Sequence, residues 1–155
     1  SSIIFFHALP FIFLKINLIT KTILNFSIYE HIILFLFFLL NLFFFNYSYS
    51  FSGGGIFFHL SGFFGSILIF YAITYIGLIC IYALCRQDIS NFYLFIIIFL
   101  SNPQLSIYHK YYDPLLLILF LLLFNLNIKE EINKRIYIFI FYFHSLLFLL
   151  LSINK

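Results

Sequence analysis

Long apolar runs, separated by short polar connections, constrain this chain more than any other feature of its sequence. The runs Ile32–Phe45, Ile67–Leu84 and Ile136–Leu151 approach or reach the ~17–25 residues that a transmembrane helix needs. Hydrophobic residues make up 65% of the chain and charged residues only 8%, against about 25% charged in an ordinary soluble domain. Such a chain cannot build a water-soluble surface. The sequence therefore predicts an all-α, polytopic transmembrane helical bundle, in a single domain over residues 1–155.

Six hydrophobic segments are expected, forming about five or six membrane helices. The first is interrupted by His7 and Pro10, and is either the end of a longer helix or an interfacial segment. The fifth is short, and either spans with the help of its flanking residues or crosses only part of the bilayer. The segments are Ile3–Leu14, His31–Asn46, Phe63–Leu84, Ile89–Ile107, Pro114–Leu126 and Ile136–Ser152.

The positions of the basic residues predict an orientation. If all six segments cross, six Lys and Arg residues lie on one side and two on the other, and the positive-inside rule places the larger group in the cytoplasm. The loop at 52–55 and the loop at 102–113 then share the external face. The cytoplasmic group is Lys15, Lys21, Arg86, Lys129, Lys134 and Arg135; the external group is Lys110 and Lys155.

The third segment carries small residues near helical spacing, which let helix backbones approach closely in lipid. This pattern predicts that the third segment is the central helix of the bundle, with a substrate-lining face as the alternative. Cys80 and Cys85 are expected to be free thiols, because no His cluster lies near them in sequence. The small residues are Gly62, Gly65, Ser66, Ala72, Cys80 and Ala83.

In the loop from Ser101 to Asp113, three ionisable groups, His109, Lys110 and Asp113, fall within five residues beside apolar segments. It is expected to form a short interfacial helix, with Asp113 capping the helix that starts at Pro114. One interpretation is an interface belt of tyrosines. The other is a site for an anionic lipid-linked headgroup, in which His109 or Asp113 accepts a proton. Lys110, Tyr108 and Tyr112 would bind that substrate.

A second candidate element is the glycine-rich loop that precedes the third segment. Gly53, Gly54 and Gly55 allow positive φ angles and close approach of the backbone to a ligand, and His59 follows them. The alternative is a flexible turn that leads into a membrane helix. No metal site is predicted, because nothing fixes the distance of His59 from His109 and Asp113.

Other polar positions are expected to have structural roles. The turn Arg86–Asp88 predicts a solvated loop with a local ion pair, and Lys129–Arg135 predicts a cytoplasmic connection. His7 and His144 stand alone in apolar surroundings. Each is expected to be satisfied by a neighbouring helix rather than to bind a ligand.

The segments Gly53–His59 and Ile107–Pro114 resemble parts of bacterial multi-spanning glycosyltransferases of the GT-C type. The resemblance implies transfer from a polyprenyl-phosphate-linked sugar at the external face, with Asp113 and His109 as catalytic residues. It also implies that membrane lipid is a partner. The acidic motif that these enzymes carry in their first external loop is absent from the sequence given.

Two other classes stay open. One is a small non-catalytic membrane subunit of a larger complex, for which an organelle-encoded subunit is one alternative. The other is a transporter or flippase fragment. The chain has 26 Phe and no Met, which indicates an AT-rich genome and predicts a fragment or processed product. The expected location is the bacterial inner membrane, with the mitochondrial inner membrane as alternative. No cofactor and no nucleic-acid partner are predicted.

Overall fold

The computed structural model describes residues 2–45, 55–100, 116, 123, 125 and 135–153. Within these ranges the chain forms seven α-helices and no strand, so the predicted all-helical class is confirmed. The helices are α1 (Ser2–Leu14), α2 (Ile16–Leu24), α3 (Ile28–Phe44), α4 (Ile56–Phe63), α5 (Ile67–Gln87), α6 (Ile89–Leu100) and α7 (Arg135–Ile153).

The starts of α3 and α6 follow from local side-chain chemistry. Ser27 and Glu30 form a reciprocal capping box, in which each side chain accepts a hydrogen bond from the other residue's backbone N–H. Asp88 accepts a hydrogen bond from the backbone N–H of Ser90 at 2.8 Å and so caps α6. Both caps place a carboxylate at a helix N-terminus, where the helix dipole favours negative charge.

Most of the predicted segments correspond to helices, with two differences. The stretch after Leu14, expected to be a connection, contains α2. The third segment was expected to begin at Phe63, but α5 begins at Ile67, and the stretch before Phe63, expected to be a connection, contains α4. Gly65 has a φ of 65° in the intervening turn, a conformation that most residues avoid. The fifth segment lies outside the described residues except for Leu116, Leu123 and Asn125.

Helix α5 is the centre of the bundle, as predicted, because it packs against α1, α2, α3, α4 and α6. Its middle residue, Gly77, meets α1 so closely that an added Cβ would stand 2.7 Å from Cγ of Phe5. The absence of a side chain there lets the Phe5 ring lie directly on the α5 backbone. The buried core extends along this seam through Ala8, Phe11, Ile81 and Leu84.

The small-residue stripe predicted for the third segment was only partly correct. Ala83 is fully buried, but Gly65 and Ala72 are exposed. Gly65 is used for its backbone conformation, since nothing lies within 4 Å of an added Cβ. Gly77, which makes the close contact, was not among the predicted residues.

Helices α3 and α5 run antiparallel, as three successive sets of contacts show. Glu30 near the start of α3 meets Tyr82 and Arg86 near the end of α5. Tyr75 meets the rings of Phe35 and Phe38 at mid-helix, and Phe45 meets the rings of Phe70 and Tyr71. The bundle therefore has a charged end, marked by Glu30, Arg86 and Asp88, and an aromatic end, marked by Phe45, Phe58 and Phe70.

In the described part of the chain, α5 is the one helix long and apolar enough to cross a membrane by itself. The pair α1 and α2 meets the same criteria together, but is bent by 103° between the two helices. Helices α3, α6 and α7 contain shorter apolar stretches. One such helix is weak evidence for a membrane protein, because the core helix of a soluble protein meets the same criteria.

Candidate functional site

Two of the predicted site residues, Gly55 and His59, belong to the described part of the chain. Gly55 is buried, caps α4 with a φ of 85°, and accepts the backbone N–H of His59 at 3.2 Å. The expected positive φ is therefore confirmed at Gly55. Gly53, Gly54, Tyr108, His109, Lys110, Tyr112 and Asp113 lie outside the described residues, so their grouping with Gly55 and His59 stays a prediction.

The aromatic end is held together by three phenylalanine rings. The ring of Phe45 lies 5.9 Å from that of Phe58 and 5.2 Å from that of Phe70, and Phe58 and Phe70 are 5.3 Å apart. These tilted and edge-on arrangements are the preferred geometries of aromatic pairs. The cluster joins the end of α3, the start of α4 and the first turn of α5. His59 follows Phe58, with its ring centroid 6.0 Å away.

The charged end is organised around the Glu30 carboxylate. Oε1 accepts a hydrogen bond from the Tyr82 hydroxyl at 2.8 Å and lies 3.3 Å from Nε of Arg86. Oε2 accepts the backbone N–H of Ser27 at 2.7 Å. The same side chain therefore caps α3 and joins it to α5. The sequence did not reveal this pairing, because Glu30 and Arg86 lie in different segments.

Arg86 is fixed by a second set of contacts from the connection between α2 and α3. Its Nη1 donates to the backbone carbonyl of Asn25 at 3.0 Å, and its guanidinium lies 5.3 Å from the ring centroid of Phe26. The Phe26 ring also packs edge-on against Tyr82 at 5.2 Å. Arg86 thus combines an ion pair, a carbonyl contact and a cation–π contact, which a lysine cannot reproduce with one ammonium group.

A second polar cluster at the charged end joins α5, α6 and residue 125. Asn91 is fully buried and donates through Nδ2 to the carbonyls of Leu84, at 3.2 Å, and Asn125, at 3.4 Å. Its Oδ1 accepts the backbone N–H of Asn125 at 2.9 Å. Asp88 accepts from Nδ2 of Asn125 at 2.6 Å. These contacts satisfy a buried amide whose burial would otherwise be costly.

The expectation of a local ion pair within Arg86–Asp88 is wrong. Arg86 pairs with Glu30, while Asp88 caps α6 and binds Asn125. The side chains of Arg86 and Asp88 therefore contact different partners. Cys80 and Cys85 are free thiols, as predicted.

Hydrogen bonding lowers the pKa of both carboxyl groups at the charged end. For Glu30 the largest contribution is the backbone N–H of Ser27, and the Tyr82 hydroxyl and Arg86 add to it. For Asp88 the largest contribution is the backbone N–H of Ser90, followed by the Asn125 side chain. Both groups are therefore carboxylates at neutral pH.

A third polar contact lies at the seam between α1 and α7. Pro10 has no N–H, so it cannot donate the usual helical hydrogen bond to the carbonyl of Phe6. Nε2 of His144 lies 2.9 Å from that carbonyl oxygen. Because a carbonyl only accepts, His144 donates from Nε2. The expectation that His144 is satisfied by a neighbouring helix is confirmed.

His7 lies beside this contact and is buried. Its ring centroid is 6.4 Å from that of His144. This ring contact could not be predicted from the sequence, because the two histidines lie at opposite ends of the chain. Among the described residues no group of three or more His, Cys, Asp or Glu side chains is placed to hold a metal ion.

Comparison with known proteins identified no relative of this chain. No family model matches the chain, and no match was found among curated proteins or solved structures.

Proposed function

We propose that this chain is a polytopic membrane bundle that acts, as part of a GT-C-type glycosyltransferase, on a lipid-linked sugar at the membrane face of its aromatic end. Asp113 and His109 would exchange protons with the acceptor, while Lys110 would bind the lipid phosphate together with Tyr108 and Tyr112. One observation carries the proposal: the two ends of the described bundle differ. Bonded charged side chains lie at one end, and packed phenylalanine rings lie at the other.

The outer surface of the helices supports insertion into lipid. Large apolar side chains on α3 stay exposed along its length, from Ile33 at 64% to Phe43 at 84%. The same is true of α7, where Phe139 is 65% exposed. Soluble monomers rarely leave continuous apolar surfaces of this extent in water. In a bilayer the same surfaces face hydrocarbon.

The contacts at the charged end support the orientation expected from the sequence. Glu30 and Arg86 belong to two connections that the alternating topology assigns to the cytoplasm, and they form an ion pair. Asn125, near the end of the fifth predicted segment, bonds Asp88 at the same end of the bundle. Helix α6 starts at this end and packs against α5. Residues 101–113, which the sequence predicts as a loop, come next in the chain after the far end of α6. That arrangement favours a shared face for this loop and for the glycines before α4.

Two measurements test this proposal. Engineered cysteines at Ser52 and Ser106 should react equally with a membrane-impermeant maleimide added from outside intact cells. Opposite accessibilities would end the shared-site model.

Asp113→Asn and Lys110→Ala should abolish transfer from a polyprenyl-phosphate-linked sugar without changing the amount of protein in the membrane. Normal transfer by both variants would leave Tyr108 and Tyr112 as an interface belt.

A non-catalytic membrane subunit is the second candidate, and Asn41 favours it. The Asn41 side chain is exposed on the apolar face of α3, where its Nδ2 donates to the carbonyl of Phe37 at 2.8 Å. An amide on a lipid-facing surface is typical of a position that bonds a neighbouring helix. An Asn41→Cys variant would then form a disulfide or a short cross-link to another membrane protein, and Leu36→Cys on the opposite side of α3 would serve as control.

A further inference from the structure

Asp88 and Asn91, at the turn from α5 to α6, hold Asn125 by its main chain and by its side chain. The Asn91 side chain bonds the backbone in both directions: its Oδ1 accepts the N–H of Asn125 at 2.9 Å, and its Nδ2 donates to the carbonyl at 3.4 Å. Asp88 bonds the side chain, because its Oδ2 accepts from Nδ2 of Asn125 at 2.6 Å. Two residues of one turn therefore bind both parts of Asn125.

The position of Asn91 is itself fixed by contacts within the bundle. Its side chain is fully buried, and its Nδ2 also donates to the carbonyl of Leu84, near the end of α5, at 3.2 Å. Its own carbonyl accepts from Sγ of Cys85 at 3.7 Å. A buried amide with partners in two helices is held rigidly. Asn91 therefore offers Asn125 a fixed pair of hydrogen-bonding atoms.

The contacts of Asn125 specify the register of the chain at this point. The two bonds to Asn91 involve only backbone atoms, which every residue except proline offers. The bond to Asp88 requires a side chain that can donate, and the neighbours in sequence, Phe124 and Leu126, carry no such group. A shift of the chain by one residue would therefore remove this donor from the Asp88 carboxylate.

Leu116 anchors the same predicted segment near its beginning. It is fully buried and belongs to the hydrophobic core of the bundle. In the sequence it stands three residues after Asp113, which is proposed above to exchange a proton with the acceptor. One residue of register corresponds to about 1.5 Å along a helix. A change of register at Asn125 would therefore compete with the burial of Leu116 and displace the chain beside it.

We propose that Asp88 and Asn91 are positioning residues for the transfer reaction, because they set the register of the chain that carries Asp113. This inference rests on the function proposed above. Neither residue touches the substrate; both act through Asn125. A displacement of about 1 Å at a reacting group can lower a rate about a hundredfold. The register held by these hydrogen bonds therefore governs the rate of transfer rather than the binding of the sugar.

Variants of the full chain test the inference through the kinetics of transfer from a polyprenyl-phosphate-linked sugar. Asn91→Leu removes both backbone contacts and should lower kcat per folded molecule about a hundredfold, while KM changes by less than about twofold. Asn125→Asp places two carboxylates side by side and should lower kcat as well. Adding Asp88→Asn restores one donor and one acceptor, and should recover most of the rate. Ser90→Ala, between the two positioning residues, is the control and should transfer at the natural rate.

A distance measurement reports the register without any substrate. Nitroxide labels at Leu123 and Ile89, both of which are exposed, show how the chain beside Asn125 lies against the start of α6. Both natural cysteines are replaced by alanine in this background. The natural contacts should give one narrow distribution of distances between the two labels, and Asn91→Leu should broaden it.

The outcomes separate this inference from the proposed function. If the natural chain transfers sugar and Asn91→Leu keeps its kcat or its narrow distance distribution, the inference alone is wrong. It is also wrong if Asp88→Asn fails to recover the rate lost by Asn125→Asp, or if activity falls only with the amount of folded protein. A natural chain that transfers no sugar would overturn the proposed function, and the positioning role with it.

Discussion

The two halves of α5 are held in the bundle by different physics. From Tyr82 onward, apolar packing is joined by an ion pair, hydrogen bonds and one cation–π pair, which require particular atoms at particular places. From Phe70 to Gly77, its contacts are rings packed on rings and on bare backbone. The comparison indicates that the charged end fixes the register of the helices, while the aromatic half fixes how closely they approach.

The largest effect is expected where the fit is tightest. Gly77→Leu should destabilise the bundle by about 3 kcal/mol, because the new side chain has to displace the Phe5 ring from α5. Ala72→Leu on the same helix is the control, since Ala72 is exposed. Thermal unfolding in detergent micelles measures both variants. If the Gly77→Leu protein were as stable as the Ala72→Leu protein, close packing of Phe5 on Gly77 would not determine the stability of this half of α5.

Arg86→Ala tests the charged half. It should cost about 1–2 kcal/mol, less than a fully buried pair, because Arg86 is partly exposed to solvent. Arg86→Lys should recover only part of the loss, since an ammonium cannot contact Glu30, Asn25 and Phe26 together. Chemical denaturation in detergent micelles measures the free energy of unfolding of each variant. If Arg86→Lys recovered all of the lost stability, a positive charge alone would account for the role of Arg86.

The seam between α1 and α7 belongs to neither half and gives a smaller effect. His144→Phe should cost about 1 kcal/mol, because the Phe6 carbonyl loses its donor. Adding Pro10→Ala supplies a backbone N–H to that carbonyl, so the same histidine change should then cost less. This double-mutant cycle is read from unfolding midpoints. Additive effects of the two substitutions would contradict the account of the Phe6 carbonyl.

Acid should weaken the charged half by the smallest amount. The pKa values of Glu30 and Asp88 are lowered in the folded protein, so their stabilisation is present above the ordinary carboxyl pKa values of about 4. It is lost as pH falls through the lower folded-state values. Unfolding midpoints between pH 6 and pH 3 should therefore drop less in the double variant Glu30→Gln, Asp88→Asn. Parallel pH profiles would show that neither bonded carboxylate contributes.

The sequence predicted the helical class and most helix positions, because long apolar segments have few alternatives. It located the ends of α1 and α7 within about a residue or two, as expected for apolar segments with clear polar borders. It missed α2, whose polar residues made it resemble a loop. It also missed α4, which lies in the stretch before Phe63 that was expected to be a connection.

The polar contacts were harder to predict than the helices. Glu30 with Arg86, and Phe6 with His144, join distant parts of the chain, and periodicity carries no information about which helices meet. Gly77 was missed for the same reason, because its role depends on a ring from α1. Gly55 was predicted correctly, since a positive φ is a local property.

The central claim is that the charged and aromatic ends lie on opposite sides of a membrane. Single cysteines at Leu24, beside the charged end, and at Phe64, between α4 and α5, test it in a background with Cys80 and Cys85 replaced by Ala. An impermeant maleimide added to intact cells should label position 64, and should label position 24 only after the membrane is opened. Labelling of both positions in intact cells, or of neither, would contradict the account.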